Sequence, residues 1–145
     1  MRILLTNDDG IRAPGIAAMY DALVDPRLGG PLNEPGRGAV TRAPRHAVLA
    51  VAPLTVQSAT GHGVTFHEPL MVREEAVELA GEGRMVGLSV DGRPADCVKL
   101  AISQLWPERF GVGARPDLVI SGINDGANCG INVIYSGTVA AALEA

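Results

Sequence analysis

The feature that most constrains this chain is its opening segment, residues 1–11, with the sequence MRILLTNDDGI. Residues 3–5 form a short apolar run, which is typical of a strand buried on both faces of a sheet. Asp8 and Asp9 follow it directly, and two adjacent carboxylates repel each other unless a cation lies between them. Because ligands bind at the carboxyl ends of strands in open parallel sheets, the segment predicts a site for Mg²⁺ or Mn²⁺. A polar turn whose aspartates cap the next helix is the alternative.

The composition indicates a single α/β domain. The chain has 145 residues, of which 47% are hydrophobic and 3% aromatic, so aliphatic side chains must fill a core between strands and helices. The formal net charge is −4 without a basic cluster, which argues against binding to a nucleic-acid polymer. Cys97 and Cys129 are too few for a disulfide scaffold, and both are expected in packed positions.

The sequence begins directly with a strand pattern and has no apolar stretch long enough to span a membrane. We therefore expect no signal peptide and no membrane partner. A cytoplasmic location follows from that expectation.

The remaining chain shows alternating helix and strand patterns. Residues 26–45, rich in Pro, Gly and Arg, predict an exposed, mobile insertion, with phosphate binding by its arginines as the less favoured alternative. Asp96 is interpreted as a helix-capping residue, and His46 and His67 as structural. The spacing of apolar residues predicts helices at 16–24, 94–105 and 139–144, strands at 47–51 and 117–120, and a hairpin of strands at 71–78 and 85–90.

Polar residues follow three of the predicted strands. Asp8 and Asp9 follow the first strand, Ser58 lies in the loop after the second, and Asn124 follows strand 117–120. In a doubly wound sheet these residues would face one crevice. Two carboxylates, a hydroxyl and an amide oxygen form an incomplete all-oxygen shell for a cation, with room for water and phosphate.

A second candidate feature is the turn Ser136-Gly137-Thr138 before the last predicted helix. A helix N-terminus offers unpaired N–H groups and a positive dipole end, which suit phosphate. Glycines such as Gly122 let the backbone approach a ligand closely, so the predicted phosphate-binding residues are Gly122, Ser136, Gly137 and Thr138. Ser136 as a simple N-cap is the alternative. His62, in the loop that carries Ser58, is a candidate acid or base.

Four segments together resemble the SurE-type metal-dependent nucleotidases: MRILLTNDDGIRAPGI, VAPLTVQSATGHGVT, GRPADCVKLA and PDLVISGINDGANCGINVIYSGTVAAALEA. They occur in the family's order and cover nearly the whole chain outside residues 26–45. The resemblance implies a Rossmann-like α/β fold, a mostly parallel sheet flanked by helices. It also implies a metal-dependent phosphomonoesterase acting on 5′- and 3′-nucleotides, and some family members cleave short polyphosphate. By motif position, Asp8, Asp9, Ser58 and Asn124 would hold one divalent metal ion, Mg²⁺ or Mn²⁺.

The catalytic residues expected from this reading are Asp8, Asp9 and Asn124. The aspartate less committed to the metal would orient or deprotonate a water molecule. Asn124 and the N–H groups around Gly137 and Thr138 would hold the phosphoryl oxygens. The expected partners are a nucleoside monophosphate substrate and, in a full-length form, further copies of the chain in a homo-oligomer, a dimer or tetramer.

The chain departs from the family pattern in several places. The link at residues 26–45 is longer than usual, Arg93 stands where the family usually has Thr, and Asn132 stands where Asp is common. Family members also continue beyond the last helix. The chain therefore resembles an N-terminal portion of such a protein, and we expect that it would be insoluble or inactive if produced unaided.

Three other functions are alternatives to a nucleotidase. A catalytically incomplete chain that binds metal and nucleotide stays open. A haloacid-dehalogenase-type phosphatase needs Asp-x-Asp after the first strand, whereas this chain has Asp8 and Asp9 adjacent. A receiver domain needs a phospho-accepting aspartate at the carboxyl end of a middle strand, and Asp117 lies at the amino end of its strand. Both of these alternatives are disfavoured.

Overall fold

A computed structural model of the chain describes residues 1–24, 46–80 and 83–145. The insertion predicted at residues 26–45 lies outside the described residues. None of the helices in the described part has the length and apolar character needed to cross a bilayer. Its strands are β1 (Arg2–Thr6), β2 (Ala47–Pro53), β3 (Val72–Glu78), β4 (Arg84–Val90) and β5 (Leu118–Ser121), and its α-helices are α1 (Pro14–Val24), α2 (Pro94–Leu100), α3 (Trp106–Phe110) and α4 (Gly137–Glu144).

The strands form one mixed sheet in the order β3-β4-β2-β1-β5. β1 runs parallel to both of its neighbours, with Leu4 opposite Leu49 of β2 and opposite Val119 of β5. β2 is parallel to β4, and β3 is antiparallel to β4 at the edge of the sheet. The predicted mostly parallel sheet and the predicted hairpin of β3 and β4 are therefore confirmed.

Helices cover both faces of the sheet because successive strand residues point in opposite directions. Leu4 packs with Val98 and Trp106 on the face covered by α2, α3 and α4. Leu5 packs with Ile16 of α1 on the other face. Both leucines are completely buried, as predicted for a central strand. The core thus has two layers of aliphatic side chains, one on each side of β1.

β1 is the strand at which the winding of the chain reverses. The chain passes from β1 through α1 to β2 on one side of β1, and the later connection through α2 and α3 leads from β4 to β5 on its other side. In open α/β sheets, ligands bind in the crevice outside the carboxyl ends of the strands at such a switch point. The loops that follow β1 and β5 meet there.

The helix predicted at residues 94–105 is longer than expected. α2 continues through a wider π-type turn, Ala101–Leu105, into α3, which ends at Phe110 with Gly111 as its C-cap. Pro107 therefore lies inside the continued helix, in the first turn of α3. A proline ring clashes with the carbonyl four residues earlier in a regular α-helix, and the wider turn relieves that clash. The completely buried Trp106, with its ring 4.4 Å from that of Phe110, supplies the packing that extends the helix.

The two cysteines differ in their surroundings. Cys97 is buried between α2 and the sheet, and this burial raises the pKa of its thiol. Cys129 is exposed in the loop after β5. The prediction of a packed position is confirmed for Cys97 and wrong for Cys129, because the glycine-rich loop that contains Cys129 lies on the surface.

Two buried hydroxyls lie side by side at the carboxyl ends of β1 and β5. Thr6 is opposite Ser121 in the parallel register. Within the described residues, Oγ1 of Thr6 and Oγ of Ser121 are buried without a hydrogen-bond partner. A buried hydroxyl of this kind costs about 1–3 kcal/mol of desolvation.

Replacing Thr6 by Val keeps the side-chain shape and removes the unpaired hydroxyl. We expect the free energy of unfolding, measured by urea titration, to stay the same or rise. Leu4→Ala, a cavity-forming change on the same face of the same strand, is expected to lower it by about 2–5 kcal/mol. A loss of more than about 1 kcal/mol in Thr6→Val would show that the hydroxyl is bonded in the folded protein.

Candidate functional site

The acidic turn after β1 is closed by the side chain of Asn7. Gly10 N donates to Asn7 Oδ1 at 3.2 Å, and Asn7 Nδ2 donates to Gly10 O at 3.1 Å. Gly10 has a φ of +103°, which other residues rarely adopt. Asn7 is completely buried, Asp8 is 3% exposed and Asp9 is half-buried. Asn7 is not among the predicted site residues, although Asn at the first position of a β-turn with Gly three residues later is a common turn signal.

Thr138 connects Asp8 to Asn124. Thr138 Oγ1 lies 2.5 Å from Asp8 Oδ1 and 3.0 Å from Asn124 Oδ1. Asn124 Nδ2 donates to Gly126 O at 3.0 Å, which fixes the amide with its oxygen towards Thr138. Oxygens from the ends of β1 and β5 therefore come together beside the first turn of α4.

Asp9 is held by the loop after β5 as well. Asp9 Oδ2 accepts a hydrogen bond from Asp125 N at 2.9 Å. Asp8 and Asp9 are thus both anchored to the segment around Asn124, but through different contacts. The two neighbouring carboxylates border different clefts.

Ser58 lies in the loop after β2, which is tied to the acidic turn by its backbone. Gln57 N donates to Asp8 O at 2.8 Å, and Ile11 N donates to Pro53 O at 2.9 Å. Ser58 itself is exposed. It borders the same two clefts as Asn124. The loop after β2 therefore adds a hydroxyl to the groups that come from the ends of β1 and β5.

Two open clefts meet at Ser58, Asn124 and Asp125. The smaller, of about 340 Å³, contains Asp8 and the start of the α4 turn at Ser136. The larger, of about 780 Å³, contains Asp9. The larger cleft is also lined by Gly10, Arg12, Ala13, Pro14, Gly15, Leu54, Thr55, Val56 and Ile123.

The turn before α4 is a capped helix start placed against Asp8. Ser136 Oγ accepts from Val139 N at 3.1 Å, so the N-cap interpretation of Ser136 is confirmed. A Cβ atom on Gly137 would lie 2.7 Å from Asp8 Cβ and 2.9 Å from Pro94 Cγ. Glycine is therefore needed for α4 to begin this close to Asp8, with its first-turn N–H groups beside the carboxylate.

The N–H group of Gly122, a residue that the sequence placed among the phosphate-binding residues, is used within the fold. Its N–H donates to Thr6 O at 2.8 Å, extending the pairing of β5 with β1. Its φ of +136° turns the chain away from the strand towards Asn124. The backbone of Gly122 thus shapes the loop, and its N–H is already committed.

The donor set restricts which metal ions suit the site. Within residues 1–24, 46–80 and 83–145, no group of three or more His, Cys, Asp or Glu side chains is placed to hold a metal ion. A cation here would need the neutral oxygens of Asn124 and Ser58 as well as the carboxylates of Asp8 and Asp9. Such oxygen ligands fit a hard ion such as Mg²⁺ or Mn²⁺ and do not fit the His and Cys preference of Zn²⁺.

Comparison with known proteins gives the family. The family model of the survival protein SurE matches residues 32–145. The chain belongs to the SurE family. This agrees with the resemblance of the four sequence segments and with the mostly parallel sheet.

Individual SurE proteins match along the whole chain. The 5′-nucleotidase SurE of Desulforudis audaxviator is 49% identical over 144 residues, which cover 99% of this chain and 46% of the relative. The 5′-nucleotidase SurE of Solidesulfovibrio magneticus is 46% identical over 99% of this chain and 45% of the relative. The crystal structure of the SurE protein from Aquifex aeolicus has a TM-score of 0.65 and 38% identity, covering 99% of this chain and 46% of that one. The chain spans about half the length of these relatives.

Asp96 caps helix α2, as the sequence predicted. Its carboxylate accepts from Arg93 N at 2.9 Å and from Thr65 Oγ1 at 2.7 Å. It thereby caps α2 although Arg93, at the N-cap, lacks the hydroxyl that Thr would provide there. The capping interpretation of Asp96 is confirmed.

His62, the candidate acid or base, pairs with Glu144 at the far end of α4 from the 136–138 turn. His62 Nε2 lies 2.9 Å from Glu144 Oε2, and Lys99 Nζ lies 3.1 Å from Glu144 Oε1. The hydrogen bond from His62, with a smaller contribution from Lys99, lowers the pKa of Glu144. The three side chains join the loop that carries Ser58 to α2 and α4.

The lowered pKa of Glu144 predicts a pH-dependent contribution to stability. The contribution is present above the ordinary carboxyl pKa and is lost as the pH falls through the lowered pKa of the folded protein. We therefore expect Glu144→Gln to reduce the free energy of unfolding near pH 6, and the difference from wild type to disappear in acid. Urea titrations between pH 3 and pH 6 measure this, with the exposed Glu108→Gln as control. A difference that does not change with pH would contradict the ion-pair account.

Proposed function

We propose that this SurE-family chain carries the active site of a divalent-metal-dependent phosphomonoesterase. The proposed reaction is hydrolysis of nucleoside 5′- and 3′-monophosphates to nucleoside and phosphate, with short polyphosphate as a further substrate. Relatives named 5′-nucleotidase SurE support the substrate class. The observation that carries the proposal is that Asp8 and Asn124 meet at Thr138 beside the N-terminus of α4. At this point the oxygens that could bind a cation lie next to the N–H groups of α4 that could bind a phosphate.

Asp8, Asp9, Ser58 and Asn124 are the residues that would hold the metal, one Mg²⁺ or Mn²⁺. When bound there, the ion supplies positive charge for the phosphoryl oxygens and lowers the pKa of a water molecule. Because Asn124 Nδ2 already donates to Gly126 O, we assign Asn124 to the metal through Oδ1 and not to the phosphoryl oxygens. This refines the role that the sequence suggested.

Asp9 is the residue that we assign to orienting or deprotonating the attacking water. Asp8 is buried and accepts the Thr138 hydroxyl through Oδ1. Asp9 is half-buried, and its Oδ2 accepts from Asp125 N. Asp9 also borders the larger cleft, so its carboxylate is the more accessible of the two to water.

The phosphoryl oxygens would be held by the first-turn N–H groups of α4, at Gly137 and Thr138. A helix N-terminus supplies unpaired donors and a positive dipole end, and both stabilise charge that develops on transferring oxygens. Gly122 is left out of this donor set, since its N–H is bonded to Thr6 O. Ser136 contributes by capping the helix.

The larger cleft gives the nucleoside a place beside the proposed metal site. Its volume of about 780 Å³ is in the range of small-molecule sites, and Leu54, Val56 and Ile123 give it apolar walls. The smaller cleft, which contains the start of α4, meets the larger one at Ser58, Asn124 and Asp125, so a nucleoside joined to a phosphate there can extend into the larger cleft. We therefore place the leaving nucleoside in the larger cleft.

A chain that binds metal and nucleotide without turnover is the remaining alternative. The relatives named 5′-nucleotidase are about twice as long as this chain, so their activity does not by itself decide between the two. Membership of the SurE family sets aside the receiver-domain and haloacid-dehalogenase readings.

Release of inorganic phosphate from AMP by the purified protein tests the proposal. We expect release with Mn²⁺ or Mg²⁺, no release with EDTA, and no release by Asp9→Asn, because that variant loses a carboxylate ligand and the proposed base. Asp117→Asn is the matched control. Asp117 accepts a hydrogen bond from Arg2 N at the amino ends of β1 and β5, whereas the proposed site lies at their carboxyl ends.

Two results would decide against parts of this account. Near-wild-type rates in Asp9→Asn would remove the assignment of Asp9. Absence of release by a folded chain that binds Mn²⁺ would favour the alternative without turnover.

A further inference from the structure

Thr138 makes contacts that a phosphate-binding residue would not need. We propose that the Thr138 hydroxyl is a positioning group for the metal site: its hydrogen bond holds the Asp8 carboxylate beside the Asn124 amide oxygen, which Asn124 itself fixes by donating from Nδ2 to Gly126 O. This inference rests on the proposed function. It gives the Thr138 side chain a role of its own, separate from the phosphate-binding role proposed for the Thr138 N–H group.

The hydrogen-bond geometry gives the hydroxyl proton to Asp8. Thr138 Oγ1 is 2.5 Å from Asp8 Oδ1, the short distance expected when a hydroxyl donates to a carboxylate. Asn124 also turns an acceptor, Oδ1, towards Thr138, at 3.0 Å. A hydroxyl has one proton, so it donates to the charged acceptor and leaves the Asn124 oxygen with its lone pairs available to a cation.

The position of the hydroxyl is fixed by α4. Gly137 lies so close to Asp8 that an added Cβ would be 3.0 Å from Asp8 Oδ2. Thr138, the next residue, is half-buried and β-branched, so its χ1 angle is restricted. α4 therefore holds the Thr138 hydroxyl in a fixed position, from which it donates to Asp8. The placement of α4 sets the distance between the carboxylate of Asp8 and the amide oxygen of Asn124.

The two possible roles of the hydroxyl lead to different consequences. A hydroxyl committed to Asp8 does not donate to a phosphoryl oxygen, so its removal affects the metal ligands before substrate arrives. Groups that orient metal ligands change metal affinity or activity by about 10–100-fold when removed. A hydroxyl that contacts the phosphoryl group would instead change the KM for substrate and leave metal affinity intact.

The test compares Thr138→Val, which removes the hydroxyl with little change of shape, and Thr138→Ser, which keeps it. The dissociation constant of Mn²⁺ is measured by electron paramagnetic resonance without substrate, and KM and kcat are measured with AMP. We expect Thr138→Val to weaken Mn²⁺ binding about 10–100-fold and Thr138→Ser to remain near wild type. If Thr138→Val does not fold, Thr138→Ala serves for the same comparison.

Thr65→Val is the matched control, because the Thr65 hydroxyl donates to Asp96 at 2.7 Å in a similar Thr–Asp contact at the start of α2. It is expected to leave Mn²⁺ affinity unchanged. Equal weakening of Mn²⁺ binding in Thr65→Val would mean a general loss of structure and would overturn the inference.

Two further outcomes separate the inference from the function on which it rests. Unchanged Mn²⁺ affinity with a raised KM in Thr138→Val would place the hydroxyl on the phosphoryl group and overturn the inference alone. Failure of the folded wild-type protein to bind Mn²⁺ would overturn both the inference and the proposed metal site.

Discussion

The carboxylate of Asp8 lies in a position only 3% exposed, at the end of a completely buried strand. A buried charge is costly unless hydrogen-bond donors and positive charge surround it. The Thr138 hydroxyl donates to this carboxylate, and the positive end of α4 lies beside it. Gly137 is required because any side chain there would collide with Asp8. The placement of α4, and with it the proposed site, depends on satisfying this one charge.

The sheet explains why the other groups arrive at the same place. β1 has parallel neighbours on both sides, and the connections to those neighbours lie on opposite faces. The loops after β1 and β5 consequently open towards each other, and backbone hydrogen bonds tie the loop after β2 to the acidic turn. Oxygens from three strand ends converge without any one loop having to reach far across the molecule.

The parts of the fold that depend on local patterns were predicted from the sequence. The apolar run at residues 3–5, the hairpin of β3 and β4, and the capping of α2 by Asp96 all follow from periodicity or from turn and cap chemistry, and all are confirmed. The family could also be predicted, because its motifs are long and keep their order.

The parts that depend on distant contacts could not be predicted. The contact of Thr138 with Asp8 joins residues 130 positions apart and exists only because α4 packs against the end of β1. Likewise, a sequence pattern does not show that the Gly122 N–H pairs with Thr6 O or that His62 pairs with Glu144. The extension of the helix to Phe110 needed the burial of Trp106 and the wider turn before Pro107. Each of these outcomes was decided by tertiary packing and not by local propensity.

The central claim is that one divalent cation binds among the oxygens of Asp8, Asp9, Ser58 and Asn124. Anomalous scattering from crystals soaked in Mn²⁺ tests it most directly, because the manganese peak locates the ion independently of any assay. The account predicts one strong peak bonded to oxygens of Asp8, Asp9, Ser58 and Asn124, beside the first turn of α4. A peak at another place, or no peak in crystals where these residues keep the contacts described above, would contradict it.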